Sequence, residues 1–229
     1  MIFPLSRLDR FFRNAEISNG IVSIWGEFGV GKTTFALQTA LKSMKNNQLI
    51  LYFYTKPIFP AEKVLNILGK SEETLRNIQF IELIDFDEMY KVVFNLEFLI
   101  LKTLHTPKNP YKMIIIDSLT DLYRLKVNRE KKERNYNLNY RLNQILANLF
   151  YLNTTYGVDI VIINEKVQKR ENDETIEVQS GGNVMEYWVS FDIKIERSEI
   201  DNKRNFTLTA NDLDQSINFN STLTKNGFQ

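Results

Sequence analysis

The sequence predicts an α/β fold in which a mostly parallel central sheet has helices on both faces and antiparallel strands at its C-terminal edge. Two observations lead to this class. The earlier strands are almost entirely apolar and are separated by segments with helical periodicity, which is typical of parallel strands buried on both faces. The strands near the C-terminus alternate between apolar and polar residues and are joined by short connections, which is typical of antiparallel pairs.

The elements follow one another along the chain in an order that fits this class. Apolar runs predict strands at residues 21–25, 49–54, 78–84, 112–116 and 159–163. Periodicity predicts helices at residues 32–45, 60–68, 85–104, 138–156 and 182–188, and a helix start at 71–74. Alternation predicts antiparallel strands at 191–196 and 205–210, a turn at 201–203, and an edge strand at 217–223. We therefore expect one domain over residues 1–229, with residues 1–19 as a lead-in to the core.

Composition excludes several classes of site. The formal net charge is +1, so nucleic-acid binding would depend on a local basic surface and not on the charge of the whole chain. There are no cysteines, which excludes disulfides, thiolate metal sites and thiol nucleophiles. The sequence has no apolar run long enough to span a bilayer and no signal-peptide pattern, so we expect a cytoplasmic protein without membrane contact.

The first predicted strand leads into the pattern G-x-x-x-x-G-K-T, and a helix follows. In this context the pattern predicts a phosphate-binding loop, the Walker A motif. Its glycines let backbone N–H groups point at phosphate oxygens, and the helix directs its positive end at the same anion. Lys32 would contact the β- and γ-phosphates of ATP, and the Thr33 hydroxyl would ligate Mg²⁺. The residues predicted to bind nucleotide are Gly26, Glu27, Phe28, Gly29, Val30, Gly31, Lys32, Thr33 and Thr34.

A second motif places an acid at the end of the fourth predicted strand. Four apolar residues precede Asp117, which matches the Walker B pattern. An open α/β sheet binds ligands at the carboxyl ends of its strands, so Asp117 is predicted to hold Mg²⁺ together with Thr33. The alternative interpretation is that Asp117 caps the helix that follows.

Two longer stretches carry a resemblance to a known family. D-S-L-T-x-L-Y-R at residues 117–124 and G-G-x-x-x-x-x-W at residues 181–188, together with the phosphate-binding loop, resemble the RecA/RadA recombinase superfamily, and most of all the archaeal RadB-type paralogues. The resemblance covers nearly the whole chain. It implies a RecA-like P-loop NTPase fold and a protein that consists of the ATPase core alone. It also implies ATP and Mg²⁺ as cofactors. The implied partners are single-stranded DNA and a recombinase or another repair protein.

The chain departs from the family pattern at two positions. The family has a glutamate after the second strand that activates the attacking water, whereas this chain has Lys56 there. A protonated lysine cannot serve as a general base. The family also has a glutamine after the fifth strand that senses the γ-phosphate, whereas this chain has Glu165. The resemblance therefore implies nucleotide binding with weak or absent hydrolysis, which leaves catalytic residues unassigned and enzymatic activity an open question.

Lys56 and Glu165 are opposite in charge and follow the strands that flank the Walker B strand. We expect them to approach each other near the γ-phosphate position, where they would form an ion pair or Lys56 would contact phosphate. The alternative is that each position is misaligned by one residue. Glu27 is a possible substitute carboxylate, although a side chain at its place in the loop more often points outward.

The resemblance also implies two DNA-binding loops, which correspond to residues 125–135 and 166–181. A cation-rich surface could follow a phosphate backbone, but interleaved Glu and Lys also suit a solvated charged surface. Glu171, Asp173, Glu174 and Glu177 would repel DNA from the second loop. The candidate DNA-binding residues are Arg124, Lys126, Arg129, Lys131, Lys132, Arg134, Lys169 and Arg170.

Three functions remain open from the sequence. The first is an accessory or mediator protein in homologous recombination and DNA repair. The second is a nucleotide-gated interaction or scaffold protein that does not bind DNA. The third is a KaiC-like signalling ATPase, which the residues at positions 56 and 165 argue against.

Overall fold

The computed structural model of the chain describes residues 1–14, 20–44, 48–69, 72–104, 110–128, 133–171, 174–211 and 215–229. Its strands are β1 (Ile21–Gly26), β2 (Leu49–Tyr54), β3 (Ile78–Glu82), β4 (Tyr111–Asp117), β5 (Asp159–Glu171), β6 (Glu174–Gln179), β7 (Val189–Arg197), β8 (Lys203–Ala210), β9 (Gln215–Thr224) and β10 (Gly227–Phe228). Its helices are α1 (Ser6–Asn14), α2 (Lys32–Ser43), α3 (Ala61–Leu68), α4 (Glu72–Arg76), α5 (Phe86–Leu104), α6 (Leu119–Lys126), α7 (Glu133–Tyr156) and α8 (Gly182–Trp188).

One sheet connects these strands in the order β10-β9-β8-β7-β1-β5-β4-β2-β3, with β6 paired to β5 outside this path. The pairs from β7 to β3 are parallel, and the pairs from β7 to β10 are antiparallel. The predicted fold class is therefore confirmed. β1 lies beside β5 and one strand away from β4, so the ends of these strands meet at one edge of the sheet.

The central strands are apolar throughout because helices cover both faces of the sheet. On β4, Met113 and Ile115 pack into the layer that contains Phe35 and Leu37 of α2. Ile114 and Ile116 point the other way, into the layer formed with α5 and α7. Since neighbouring residues of a strand face opposite sides, a strand covered on both sides has no position for a solvated polar residue until it ends.

The second predicted DNA-binding loop, residues 166–181, is mostly not a loop. β5 continues beyond the sheet to Glu171 and pairs with β6 as an antiparallel hairpin, with Lys166 opposite Gln179 and Arg170 opposite Thr175. The sequence contained a signal for the second strand, because residues 175–179 alternate between polar and apolar types after Asn172-Asp173, which are turn-favouring residue types. The loop was an implication of the family resemblance.

The first predicted DNA-binding loop, residues 125–135, is also shorter than expected. α6 continues to Lys126, and α7 begins at Glu133 and not near residue 138. Arg129, Lys131 and Lys132 lie outside the described residues. None of the described helices is both long and apolar enough to cross a membrane.

Candidate nucleotide-binding site

The phosphate-binding loop connects the end of β1 at Gly26 to the start of α2 at Lys32. Gly31 has φ +107° at the N-terminal end of α2, a backbone conformation that side chains other than glycine disfavour. Val30 is fully buried in the core, whereas the Phe28 side chain is 81% exposed. Val30 thus anchors the loop in the core, and the opposite side of the loop lines a cavity.

The cavity has a volume of about 470 Å³, which falls in the usual range for sites that bind small molecules. Its walls come from the loop and the first turn of α2, from α3, from the segment after β2, from the middle of β5, and from the end of β9 and the turn after it. The lining residues are Phe28, Gly29, Gly31, Lys32, Thr33, Thr34, Lys56, Glu62, Lys63, Asn66, Glu165, Leu223, Thr224 and Lys225. The structure therefore brings most of the predicted loop residues together with Lys56 and Glu165.

The ammonium group of Lys32 is held by three oxygen atoms. It donates to the backbone carbonyls of Gly26 at 2.9 Å and Glu27 at 2.7 Å, and to the Glu165 carboxylate at 2.8 Å. Lys32 is only 5% exposed, and this burial lowers its pKa while the Glu165 carboxylate opposes the shift. An incoming phosphate has to compete with Glu165 for this ammonium group.

Asp117 is buried where β4 ends, and its carboxylate receives two hydroxyl hydrogen bonds on one oxygen. Thr33 Oγ1 donates to Oδ2 at 2.6 Å, and the Tyr52 hydroxyl donates to the same atom at 2.9 Å. Asp117 does not cap α6, because the side chain of Ser118 accepts the hydrogen bond from the Asp121 N–H. Thr33 and Asp117, predicted as a pair, are in direct contact.

Tyr52 is a site residue that the sequence analysis missed. It lies on β2 beside the Walker B strand, and its side chain is 2% exposed. Burial, followed by the charge of Asp117, raises the pKa of the Tyr52 hydroxyl well above its usual value, so the hydroxyl remains a donor. The available signal was a tyrosine within an otherwise apolar strand, since a buried hydroxyl needs a partner.

Lys56 lies just after β2, and Glu165 lies where the parallel part of β5 ends, so the two residues follow the two neighbours of β4 as predicted. The predicted ion pair between them is wrong, because each pairs with a different partner. Lys56 Nζ lies 3.5 Å from Asp117 Oδ1, and Glu165 Oε2 lies 2.8 Å from Lys32 Nζ. Lys32 and Asp117 are more deeply buried than Lys56 and Glu165, and a buried ion requires a counter-charge. Each of the two buried ions therefore pairs with one of the two more exposed ions.

Thr33 and Asp117 offer the kind of oxygen that Mg²⁺ binds, but the free oxygen of Asp117 already faces the Lys56 ammonium group. Mg²⁺ prefers oxygen ligands and is commonly held by one or two carboxylates plus substrate phosphates. Thr33 and Asp117 supply such oxygens, and Asp117 Oδ1 is a buried atom without a hydrogen-bond donor. Among the described residues no three His, Cys, Asp or Glu side chains cluster around a possible metal position. A metal here would therefore depend on phosphate oxygens and water for its remaining ligands.

Glu27 is not free to act as a substitute carboxylate. Its Oε1 lies 2.9 Å from Lys166 Nζ, and this hydrogen bond is the main cause that lowers the pKa of Glu27. Lys166 also contacts Glu177 at 2.6 Å, and Glu177 in turn contacts Lys194 at 3.1 Å. This chain of ion pairs connects the phosphate-binding loop to the β5–β6 hairpin and to β7.

A buried polar chain, also missed by the sequence analysis, holds the base of the same hairpin. Asn164 accepts a hydrogen bond from Thr120 at 3.1 Å and donates to Gln179 at 3.1 Å. Gln179 donates to Asp192 at 3.0 Å, and the Trp25 indole donates to the other oxygen of Asp192. Burial raises the pKa of Asp192 to about 6. The hairpin is thereby fixed to β1 through Trp25 and Asp192, and to α6, the helix after the Walker B strand, through Thr120.

The candidate DNA-binding residues are not gathered into one described basic surface. Arg124 is exposed, but Lys126 donates to Asp87, which Arg141 also contacts. The side chain of Arg134 lies outside the described part of the structure, as do Arg129, Lys131 and Lys132. Lys169 and Arg170 lie on the hairpin, and neither is without a partner.

Comparison with known proteins identifies related chains. The model of the Rad51 family matches residues 5–208. A DNA repair and recombination protein RadB from Methanosphaera stadtmanae is 30% identical over 204 residues, which cover 89% of this chain and 84% of that protein. A RadB protein from Methanococcus maripaludis is 32% identical over 180 residues, which cover 78% and 77% of the two chains. The matched family region includes every residue of the cavity except those contributed by β9 and the turn after it.

Proposed function

The chain belongs to the Rad51 family, and on that premise we propose that it binds ATP and acts as an accessory or mediator protein in homologous recombination and DNA repair. The relatives are named as DNA repair and recombination proteins, and the cavity supplies the chemistry for a nucleotide. Mg²⁺ use is general for P-loop ATPases, and an ion in this site would need the oxygens of Thr33 and Asp117, next to Lys56. The cytoplasmic location expected from the sequence stays a prediction.

The observation that carries the nucleotide proposal is the position of the Lys32 ammonium group. Lys32 is 5% exposed and lines the cavity. Its ammonium group donates to the backbone carbonyls of Gly26 and Glu27, close to the N-terminus of α2. A buried ammonium beside a helix N-terminus is a site for an anion, because both contribute positive charge. The third contact, with Glu165, would be exchanged for a phosphate oxygen.

We further propose that hydrolysis is slow or absent. Activation of water needs a carboxylate that can accept a proton near the γ-phosphate. Among the described carboxylates that line the cavity, Glu165 pairs with Lys32, and Glu62 lies on the exposed surface of α3. Asp117 is engaged by Thr33, Tyr52 and Lys56. The family position of the catalytic glutamate carries Lys56, so charge stabilisation remains while water activation is lost.

A second candidate function is a nucleotide-gated interaction protein without DNA binding. It is favoured by the pairing of cations in the candidate DNA-binding segments, since Lys126 contacts Asp87 and Lys166 contacts Glu27 and Glu177. Paired cations release fewer counterions on binding to a phosphate backbone. A DNA-binding measurement separates the two functions.

Removal of the Lys32 charge tests the nucleotide proposal. In Lys32→Met, which keeps most of the apolar stem, we expect the affinity for ATP to fall by at least about thirtyfold, because a buried charge contact is lost. Isothermal titration calorimetry measures this. Lys91→Ala, which removes an exposed lysine of α5, is the control and should bind as the wild type. Equal affinity of Lys32→Met and wild type would refute nucleotide binding at this site.

Single-stranded DNA binding is tested by its salt dependence. We expect the logarithm of the association constant to fall linearly with the logarithm of the salt concentration, measured by fluorescence anisotropy with a labelled oligonucleotide. Lys131→Ala/Lys132→Ala should reduce the slope by about 1.4, since each phosphate contact contributes about 0.7 for single strands. Lys169→Ala/Arg170→Ala is the matched pair on the hairpin. A reduced slope only in that pair moves the interface to the hairpin, and no DNA binding by the wild type favours the second function.

A further inference from the structure

The one oxygen of Asp117 that no hydroxyl group occupies faces an ammonium group. Oδ2 accepts from Thr33 and Tyr52, whereas Oδ1 is buried without a hydrogen-bond donor and lies 3.5 Å from Lys56 Nζ. A metal ion in a site of this type would be attracted most strongly to the carboxylate oxygen that accepts no hydrogen bond, which is Oδ1. Lys56 therefore occupies the cation position beside Asp117.

The backbone fixes Lys56 in this place. The N–H of Thr55 donates to the Asp117 carbonyl at 2.9 Å, and the N–H of Ser118 donates to Thr55 Oγ1 at 3.0 Å. These bonds tie the chain after β2 to the end of β4. Pro57 follows and restricts Lys56 to an extended backbone. Only the side-chain torsions of Lys56 remain free, and its side chain is 32% exposed at the cavity wall.

The charges of the two ion pairs beside the phosphate-binding loop cancel without a metal ion. Lys32 and Lys56 contribute two positive charges, and Asp117 and Glu165 contribute two negative charges. With glutamate at position 56 and glutamine at position 165, the same four positions would carry a net charge of −1, and a polyphosphate would then need a divalent counter-ion. A lysine ammonium is a compact charge that binds phosphate, so Lys56 can supply that counter-charge itself.

We propose that Lys56 takes the place of the divalent cation, so that the site binds a nucleoside triphosphate free of metal. This inference rests on the proposed nucleotide binding. Lys32 leaves Glu165 for the phosphates, and Lys56 bridges the phosphates and Asp117 Oδ1. A Mg²⁺ ion that entered the site would have to displace Lys56 from Asp117, because two cations that share one carboxylate oxygen repel each other.

The test compares ATP affinity in EDTA with ATP affinity in excess Mg²⁺ by calorimetry. For the wild type we expect the two affinities to agree within about threefold, whereas the loss of a charge contact in Lys56→Ala should weaken metal-free binding by at least about thirtyfold. Mg²⁺ should restore binding to Lys56→Ala, since Asp117 Oδ1 is then free for the ion. Lys56→Gln, which keeps a polar side chain but removes the charge, should behave as Lys56→Ala does.

The control is Lys91→Ala, which removes an exposed cation of α5 that does not line this cavity. Its affinity ratio between the two conditions should equal that of the wild type. Binding of ATP by the wild type only with Mg²⁺, or metal-free binding by Lys56→Ala at the wild-type affinity, would overturn the proposal and leave nucleotide binding intact. No binding by the wild type in either condition would refute the proposed function itself.

Discussion

Restoring the family's residues at both altered positions, in Lys56→Glu/Glu165→Gln, is expected to raise the rate of ATP hydrolysis by about 10²-fold. Glutamate at position 56 provides a carboxylate at the end of β2, where it can accept a proton from water. Glutamine at position 165 no longer competes with phosphate for Lys32, whose ammonium now lies 2.8 Å from Glu165. Release of phosphate under single-turnover conditions with Mg²⁺ measures the change.

The single variants show which substitution carries the effect. Glu165→Gln alone should increase ATP affinity without increasing turnover, because it frees Lys32 but adds no base. Lys56→Glu alone adds a carboxylate that can act as a base but leaves Lys32 paired with Glu165. Tighter ATP binding together with faster turnover is therefore expected only in the double variant. Addition of Lys32→Met to the double variant should abolish the gain. A wild-type protein that already turns over as fast as the double variant would contradict the proposed loss of hydrolysis.

Gly26→Ala is expected to destabilise the fold by about 3 kcal/mol or more, because a side chain at this position is both strained and overpacked. Gly26 has φ +149°, and a Cβ atom there would lie 2.1 Å from the backbone carbonyl oxygen of Ile195 on β7. A carbonyl within a sheet cannot move away without breaking strand pairing. Thermal unfolding should show a decrease in Tm of about 6–12 °C for a chain of this size.

Gly157→Ala serves as the comparison for this effect. Gly157 has φ +65°, but a Cβ atom there would meet no other atom within 4 Å. The substitution therefore adds backbone strain alone, with an expected cost of about 1 kcal/mol. If the two variants unfold at the same temperature, the contact with Ile195 does not limit position 26, and strain of the glycine backbone accounts for both.

Part of the site could be predicted because strand order determines which strand ends meet. Apolar runs identified the parallel strands, and the motifs at their ends brought Lys32, Thr33 and Asp117 to one edge. The same reasoning put Lys56 and Glu165 on either side of Asp117, where the structure has them. Their partners could not be predicted, since ion pairing depends on side-chain reach and on which ions are most deeply buried.

The β5–β6 hairpin shows where the family resemblance outweighed the local pattern. The alternation at residues 175–179 indicates a strand, but the resemblance implied a loop. In the structure several of the hairpin's charges belong to ion pairs, such as Lys166 with Glu27 and Glu177. These charged residues can lie in strands because a counter-charge is within reach. A sequence read one position at a time does not contain that information.

The sequence by itself determined the fold class and the composition of the phosphate-binding loop, because both depend on periodicity and on motifs that are local in the chain. It also determined that position 56 is a lysine, where the family resemblance implies a catalytic glutamate. Only the tertiary structure decided what that lysine does. Lys56 reaches Asp117, and Glu165 reaches Lys32, because strands separated by long stretches of chain end at one edge of the sheet. Which of these charged side chains pair depends on the distances between their charged groups, and only the folded chain sets those distances.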